Sequence, residues 1–279
     1  MEQNPTNKKE RPIGVFDSGV GGLSVLRAIR YQLPAEPVLY LADQAHVPYG
    51  PRDQSEIRTF AVGITRFLLA QGAKLIVVAC NTASAAALHE LRHIFPKVPF
   101  VGMEPAVKPA AETTHSGAVG VLATPTTFAG DLYASVVERF ARDVTILTDT
   151  CPGLVEEIEA GNLDTPAVRK ILTEALRPML ARGIDTVVLG CTHYPFVIPL
   201  IESIAGPDVR VIDPAPAIAR QTRRLLAECG WLNFASQVGN LQFYTSDEPE
   251  ELAETLPRLL GETGPVSPVT WDDQGSLSG

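Results

Sequence analysis

No C-x-x-C pair, no long apolar run and no surplus of positive charge occur in this sequence of 279 residues. Its four cysteines, Cys80, Cys151, Cys191 and Cys229, are widely separated. That excludes a disulfide scaffold and leaves no zinc or dithiol-redox spacing. No segment reaches the ~18 consecutive apolar residues of a membrane helix, so no membrane partner is expected. The first twelve residues, MEQNPTNKKERP, lack the apolar stretch of a secretion signal, and a cytoplasmic protein with reduced thiols is expected. With 23 Lys+Arg against 32 Asp+Glu the net charge is −9; it repels phosphate backbones and argues against nucleic acid as a partner. His46, His89, His93 and His115 have no acidic or thiol partner at metal-ligand spacing, so no metal is expected.

What is present is alternation. Apolar runs at Ile13–Phe16, Val38–Leu41, Leu75–Ala79, Phe100–Val101, Val119–Leu122, Val144–Leu147, Thr186–Leu189 and Val209–Ile212 are separated by helical patterns. This is how βα units on a mostly parallel sheet read. Ile57, Phe60, Ala61, Ile64, Phe67 and Leu68 share one helical face, as do Val168, Ile171, Leu172, Ala175, Leu176, Met179 and Leu180. Thr165 before Pro166 reads as an N-cap with proline in the first turn, and Gly183 follows the last turn. A 45% hydrophobic composition over this length fills one large domain or two ordinary ones.

The two halves also match each other. AQGAKLIVVACNT (Ala70–Thr82) lies over ARGIDTVVLGCTH (Ala181–His193) without a gap, so Gly72/Gly183 and Cys80/Cys191 share an offset of 111, while Gly14 lies over Gly120 at 106. The expected fold is α/β: two related lobes, each a mostly parallel sheet flanked by helices, with the active site in the cleft between them. Residues 12–97 plus 208–262 are expected in the first lobe and 98–207 in the second. The tails, 1–11 and the Gly-, Pro- and Ser-rich 263–279, are expected to be disordered.

In open α/β sheets ligands sit beyond the carboxyl ends of the strands. Four turns there are unusually polar: Asp17-Ser18-Gly19, Asp43 to Gly50, Cys80-Asn81-Thr82 and Cys191-Thr192-His193. A cysteine just before a helix start meets unpaired N–H groups that stabilise a thiolate and lower its pKa from ~8.5. A single cysteine at a strand end is usually a buried, inert thiol. Two at equivalent points of facing lobes instead approach one cleft from opposite sides, which suits a cofactor-free racemase: one thiolate removes an α-proton while the opposing thiol delivers another. Asp17 and His193 are the candidate assistants, expected on opposite sides of the cleft. Ser18, Asn81, Thr82 and Thr192 offer donors suited to a carboxylate. GVFDSGVGGLS lacks both the G-x-G-x-x-G order and a Walker lysine, so its glycines are read as a tight turn approaching a small acidic ligand.

These motifs resemble those of the glutamate racemases, cofactor-independent members of the Asp/Glu racemase family that interconvert L- and D-glutamate for bacterial cell-wall peptidoglycan. GVFDSGVGGLSVLRAI, ADQAHVPYGPRD, VVACNTASAAAL and LGCTHYPF carry the resemblance in the family's order, over Pro12–Leu260. It implies that Cys80 acts on D-glutamate and Cys191 on L-glutamate, with Asp17 assisting the first and His193 the second. It also implies substrate contacts from Asp17, Ser18, Tyr49, Gly50, Asn81, Thr82, Thr192 and His193. A further glutamate in the CPGLVEEIEAG segment is assigned to Glu159, with Glu156 and Glu157 as rivals. LATPTTFAG departs from the family, which commonly has Gly at Thr126 and Ser at Gly130, so Thr124 and Thr127 are set aside. The resemblance implies a homodimer needing no PLP, metal or nucleotide. Two alternatives remain: a racemase of aspartate or another acidic amino acid, and a non-catalytic binder of acidic metabolites.

Overall fold

The computed structural model describes residues 8–104 and 106–279. Most of the amino-terminal tail, residues 1–7, lies outside the described residues, and Lys8–Glu10 form a 3-10 turn. The chain then runs β1 (Ile13–Asp17), α1 (Leu23–Gln32), β2 (Val38–Ala42), α2 (Gln54–Ala70), β3 (Leu75–Val78), α3 (Asn81–Ile94) and β4 (Phe100–Gly102). A second set follows: α4 (Val107–Thr113), β5 (Ala118–Ala123), α5 (Pro125–Ala129), α6 (Asp131–Phe140), β6 (Thr145–Asp149), α7 (Leu154–Glu159), α8 (Pro166–Leu180), β7 (Thr186–Gly190), α9 (Ile198–Ala205) and β8 (Arg210–Ile212). The last elements are α10 (Ala215–Glu228), β9 (Leu241–Thr245), α11 (Pro249–Leu259), β10 (Val266–Pro268), β11 (Thr270–Trp271) and β12 (Leu277–Ser278).

The α/β architecture is as expected. One sheet has the order β10-β9-β2-β1-β3-β4 and the other β6-β5-β7-β8, with parallel pairing throughout both. The central strands β1, β3, β5 and β7 are buried along their whole length, because helices cover both faces. That is why they read as continuous apolar runs instead of alternating ones.

The internal repeat holds at the level of packing. The order β2-β1-β3-β4 is repeated as β6-β5-β7-β8. Ile13 pairs with Leu75 as Val119 pairs with Thr186, which are the same positions at offsets 106 and 111. A Cβ on Gly14 would meet Ile76, Ala73 and Leu68, and one on Gly120 would meet Val187, Ile184 and Met179. Each of these pairs is again separated by 111. In both lobes the missing side chain lets the helix-to-strand connection settle onto the first strand.

Two expectations need correction. The lobe limits are off by one strand at each crossing, since Phe100–Gly102 pairs with β3 in the first sheet and Arg210–Ile212 with β7 in the second. Strands of three residues carry no mark of which sheet they join. The carboxyl-terminal segment 263–279 is ordered: β10 extends the first sheet beside β9, and β11 and β12 form an antiparallel pair. Its few apolar side chains are enough because α2 receives them, with Val269, Trp271 and Leu277 packing into the cluster that holds Ile57, Phe60 and Ile64. A different apolar cluster runs through both lobes, joining α1 and α10 of one to α7, α8 and α9 of the other.

Candidate active site

The turn after β1 is where the lobes meet. Asp17 ends the strand fully buried; its Oδ1 accepts the Gly19 N–H at 2.9 Å and its Oδ2 accepts the Thr192 hydroxyl of the other lobe at 3.0 Å. Glu159, at the end of α7, accepts the Val20 N–H at 2.9 Å and meets His193 Nε2 at 2.5 Å. Gly19 and Gly21 permit this approach: a Cβ on Gly19 would lie 2.0 Å from Glu159 Oε1, and one on Gly21 would lie 2.4 Å from His193 Nδ1. The glycines were expected to admit an acidic ligand. The acidic group they admit is the chain's own Glu159.

Three further hydrogen bonds cross the cleft. The Ser24 hydroxyl donates to the Thr192 carbonyl at 2.8 Å, the Thr126 hydroxyl donates to the Gly50 carbonyl at 2.6 Å, and the Thr82 and Thr124 hydroxyls lie 2.8 Å apart.

The thiols have different settings. Cys80 is the N-cap of α3, its Sγ accepting the Ala83 N–H at 3.4 Å, with the Ser18 hydroxyl at 4.0 Å. Burial, reinforced by the negative charge of Asp17, pushes this thiol up, and the Ala83 N–H only partly opposes it. The expected lowering at a helix start is therefore overruled by desolvation. Cys191 caps no regular helix. It is followed by Thr192, His193 and a 3-10 turn at Tyr194–Val197, and its Sγ lies 3.7 Å from His193 Nδ1.

Burial works against a charged His193, but hydrogen bonds and negative charge from Cys191 and Glu159 outweigh it and hold the imidazole well above its usual value. Asp17 is pushed up to about 6 by burial, with the charge of His193 and the Gly19 N–H pulling the other way. Asp17 and His193 were expected on opposite sides of the cleft; the structure brings them together, with Glu159, so that one ligand-type atom from each lies within 4.8 Å of the others. These carboxylates already accept backbone N–H groups, and Glu159 Oε1 takes both Val20 and His193. Such an oxygen suits a proton relay better than a cation.

Beyond this layer is a cavity of about 210 Å³ whose wall includes Cys80 and Cys191. Ser18, Tyr49, Gly50, Asn81, Thr82, Thr192 and His193 also line it, whereas Asp17 and Glu159 stand behind the wall. The Asn81 carboxamide is buried, and neither its Nδ2 nor its Oδ1 has a hydrogen-bond partner among the described residues. An unpaired buried amide costs about 1–3 kcal/mol, a cost that a ligand bonding to it would remove. Of the rival glutamates, Glu156 lines the cavity, Glu157 holds Asn162, and Glu159 reaches His193. Thr124, set aside on sequence, lines the cavity, and Thr127 hydrogen-bonds to it from behind. Sequence reasoning left out Thr150, Cys151 and Tyr194, which also line it. Cys151 has the positive φ of 44°, rare outside glycine and a signal that only a structure gives.

The Asp/Glu/Hydantoin racemase family matches residues 13–222. A glutamate racemase of Roseiflexus sp. is 51% identical over 255 residues, covering 91% of this chain and 94% of the relative. Among solved structures, glutamate racemase of Bacillus anthracis superposes with a TM-score of 0.84 at 32% identity, covering 95% of this chain and 99% of that one. That of Francisella tularensis, in complex with D-glutamate, gives 0.82 at 31%, covering 94% and 98%. On the length of the match and the degree of identity, the chain belongs to the Asp/Glu/hydantoin racemase family.

Proposed function

We propose that this protein is a glutamate racemase that interconverts the enantiomers by two-cysteine proton transfer at the α-carbon, using no cofactor. The observation that carries this reading is that one cavity is walled by both thiols and by an amide with no hydrogen-bond partner among the described residues. Asn81 offers a donor pair and an acceptor to the α-carboxylate and ammonium of an amino acid. Thr82, Thr192 and Ser18 supply hydroxyls beside it, and Tyr49 and Gly50 close the wall.

With D-glutamate bound, the Cys80 thiolate takes the α-proton, and the electron pair left on carbon spreads into the carboxylate. The Cys191 thiol then delivers its proton to the opposite face. One S–H bond breaks and one forms, so the enzyme ends with its protonation reversed, ready for L-glutamate. Asp17 favours a protonated Cys80, and His193, held by Glu159, stands against the Cys191 sulfur. Four free cysteines suit a reducing compartment, and we place the enzyme in the cytoplasm as a homodimer supplying D-glutamate for peptidoglycan.

The test is circular dichroism of D-glutamate incubated with purified, metal-stripped, PLP-free protein. The signal should decay to zero. A persistent signal refutes the proposal, and decay with D-aspartate at equal or greater kcat/KM would reassign the substrate.

A further inference from the structure

Asp43 is fully buried beside the cavity and collects four side-chain donors. Tyr49 OH donates to its Oδ2 at 2.5 Å, Ser246 Oγ and Trp271 Nε1 donate to its Oδ1 at 2.7 and 2.8 Å, and His46 Nδ1 lies 3.0 Å from its Oδ2. Tyr49 lines the cavity, whereas Trp271 belongs to the carboxyl-terminal pair β11–β12. A second path runs through rings: Trp271 and Phe60 centroids are 5.5 Å apart, and Phe60 and Tyr49 centroids 5.7 Å.

The seat for this strap is built into α2. Gly63 sits in the middle of that helix, where alanine would favour the helix. A Cβ there would lie 2.6 Å from both the Trp271 ring and the Gly275 carbonyl. The Val269 N–H fixes the start of the strap by donating to the Thr245 carbonyl at 2.7 Å.

We propose that Trp271 is a positioning residue for the substrate cavity, acting through Asp43 to hold Tyr49 against the substrate. The strap thus sets how tightly glutamate is held, without touching it. A carboxylate whose lone pairs are all engaged has one orientation; with the indole N–H gone it can turn, and Tyr49 turns with it. This rests on the racemase reading for its kinetic consequence but not for its structural one, and the experiment keeps the two apart.

Trp271→Phe keeps a ring beside Phe60 but removes the N–H, along with the part of the indole that lies over Gly63. KM for both enantiomers should rise about fivefold with kcat little changed, the pattern of lost uniform binding. Gly63→Ala, which touches neither Asp43 nor Tyr49, should give the same pattern by lifting the strap. In a Tyr49→Phe background, Trp271→Phe should add nothing; an additive effect would place its action elsewhere and overturn the proposal. Amide hydrogen exchange over residues 43–52 should quicken in Trp271→Phe, a readout that needs no activity. Unchanged exchange overturns the proposal, as does unchanged KM in an active enzyme. An inactive wild type would instead refute the racemase reading, leaving exchange to decide the strap's hold on the loop.

Discussion

The two lobes share a strand order and a register, yet they treat their cysteines differently. In the first, Cys80 sits at the start of a regular helix with a backbone N–H, a serine hydroxyl and a buried carboxylate for company. In the second, the same strand end leads into a 3-10 turn, and the place of Thr82 is taken by His193, a buried imidazole whose Nδ1 lies 3.7 Å from the Cys191 sulfur. A duplicated scaffold therefore supplies two thiols in matched places, and the turns after them supply unlike electrostatics. That asymmetry suits the two-cysteine transfer proposed above, which needs one thiol charged while the other is not.

The most severe way to break the comparison is to remove either thiol. Cys80→Ala and Cys191→Ala should each lower kcat by about 10³-fold or more in both directions while far-UV circular dichroism stays unchanged. Near-normal turnover in either variant would show that the lobes are not partners in the chemistry.

A milder change sharpens it. Asp17 titrates near 6, where the His193 charge and the Thr192 hydroxyl hold it down against burial. If the carboxylate is the working form, activity falls as pH drops through this value. His193→Asn and Thr192→Val each remove a stabiliser of the charged form, so the acid limb of kcat/KM should move to higher pH in both. Carbon-13 titration of the Asp17 carboxyl provides the same check without turnover; a downward movement would contradict the geometry.

The smallest effect compares the lobes as scaffolds. Gly14→Ala would press on the Cβ atoms of Ala73 and Leu68 as well as the tip of Ile76, whereas Gly120→Ala mainly meets the flexible ends of Met179 and Ile184. Overpacking of this kind costs about 1–3 kcal/mol. Urea unfolding should show the larger loss at Gly14.

Much of this was legible before any coordinates. Each of the eight apolar runs falls on one of the strands β1 to β8 to within two residues, and in β1, β3, β5 and β7 full burial on both faces leaves an unbroken apolar signal. The polar turns were legible for the opposite reason: nothing in a βα connection requires Asp-Ser-Gly or Cys-Asn-Thr. What escaped depends on distant partners. The seating of half-buried Trp271 on α2 depends on the missing Cβ of Gly63 some two hundred residues away. Glu156 and Glu159 lie three apart on one short helix, and sequence spacing cannot say which meets His193 and which lines the cavity. The proximity of Asp17 to His193 likewise arises only when the Gly19–Gly21 turn lets the second lobe close upon it.

The hydrogen bonds that join the lobes have a kinetic consequence. Val20 to Glu159, Thr192 to Asp17, Ser24 to Thr192, and the threonine contacts to Gly50 and Thr82 all end on or beside groups placed in the reaction. A parting of the lobes wide enough to exchange one guest for another breaks them together, yet it leaves Asp17 on the lobe of Cys80 and the Glu159–His193 pair on the lobe of Cys191. What parting separates is one thiol from the other, so in the two-cysteine transfer proposed above a proton can leave one face and return to the opposite one only while the lobes are shut.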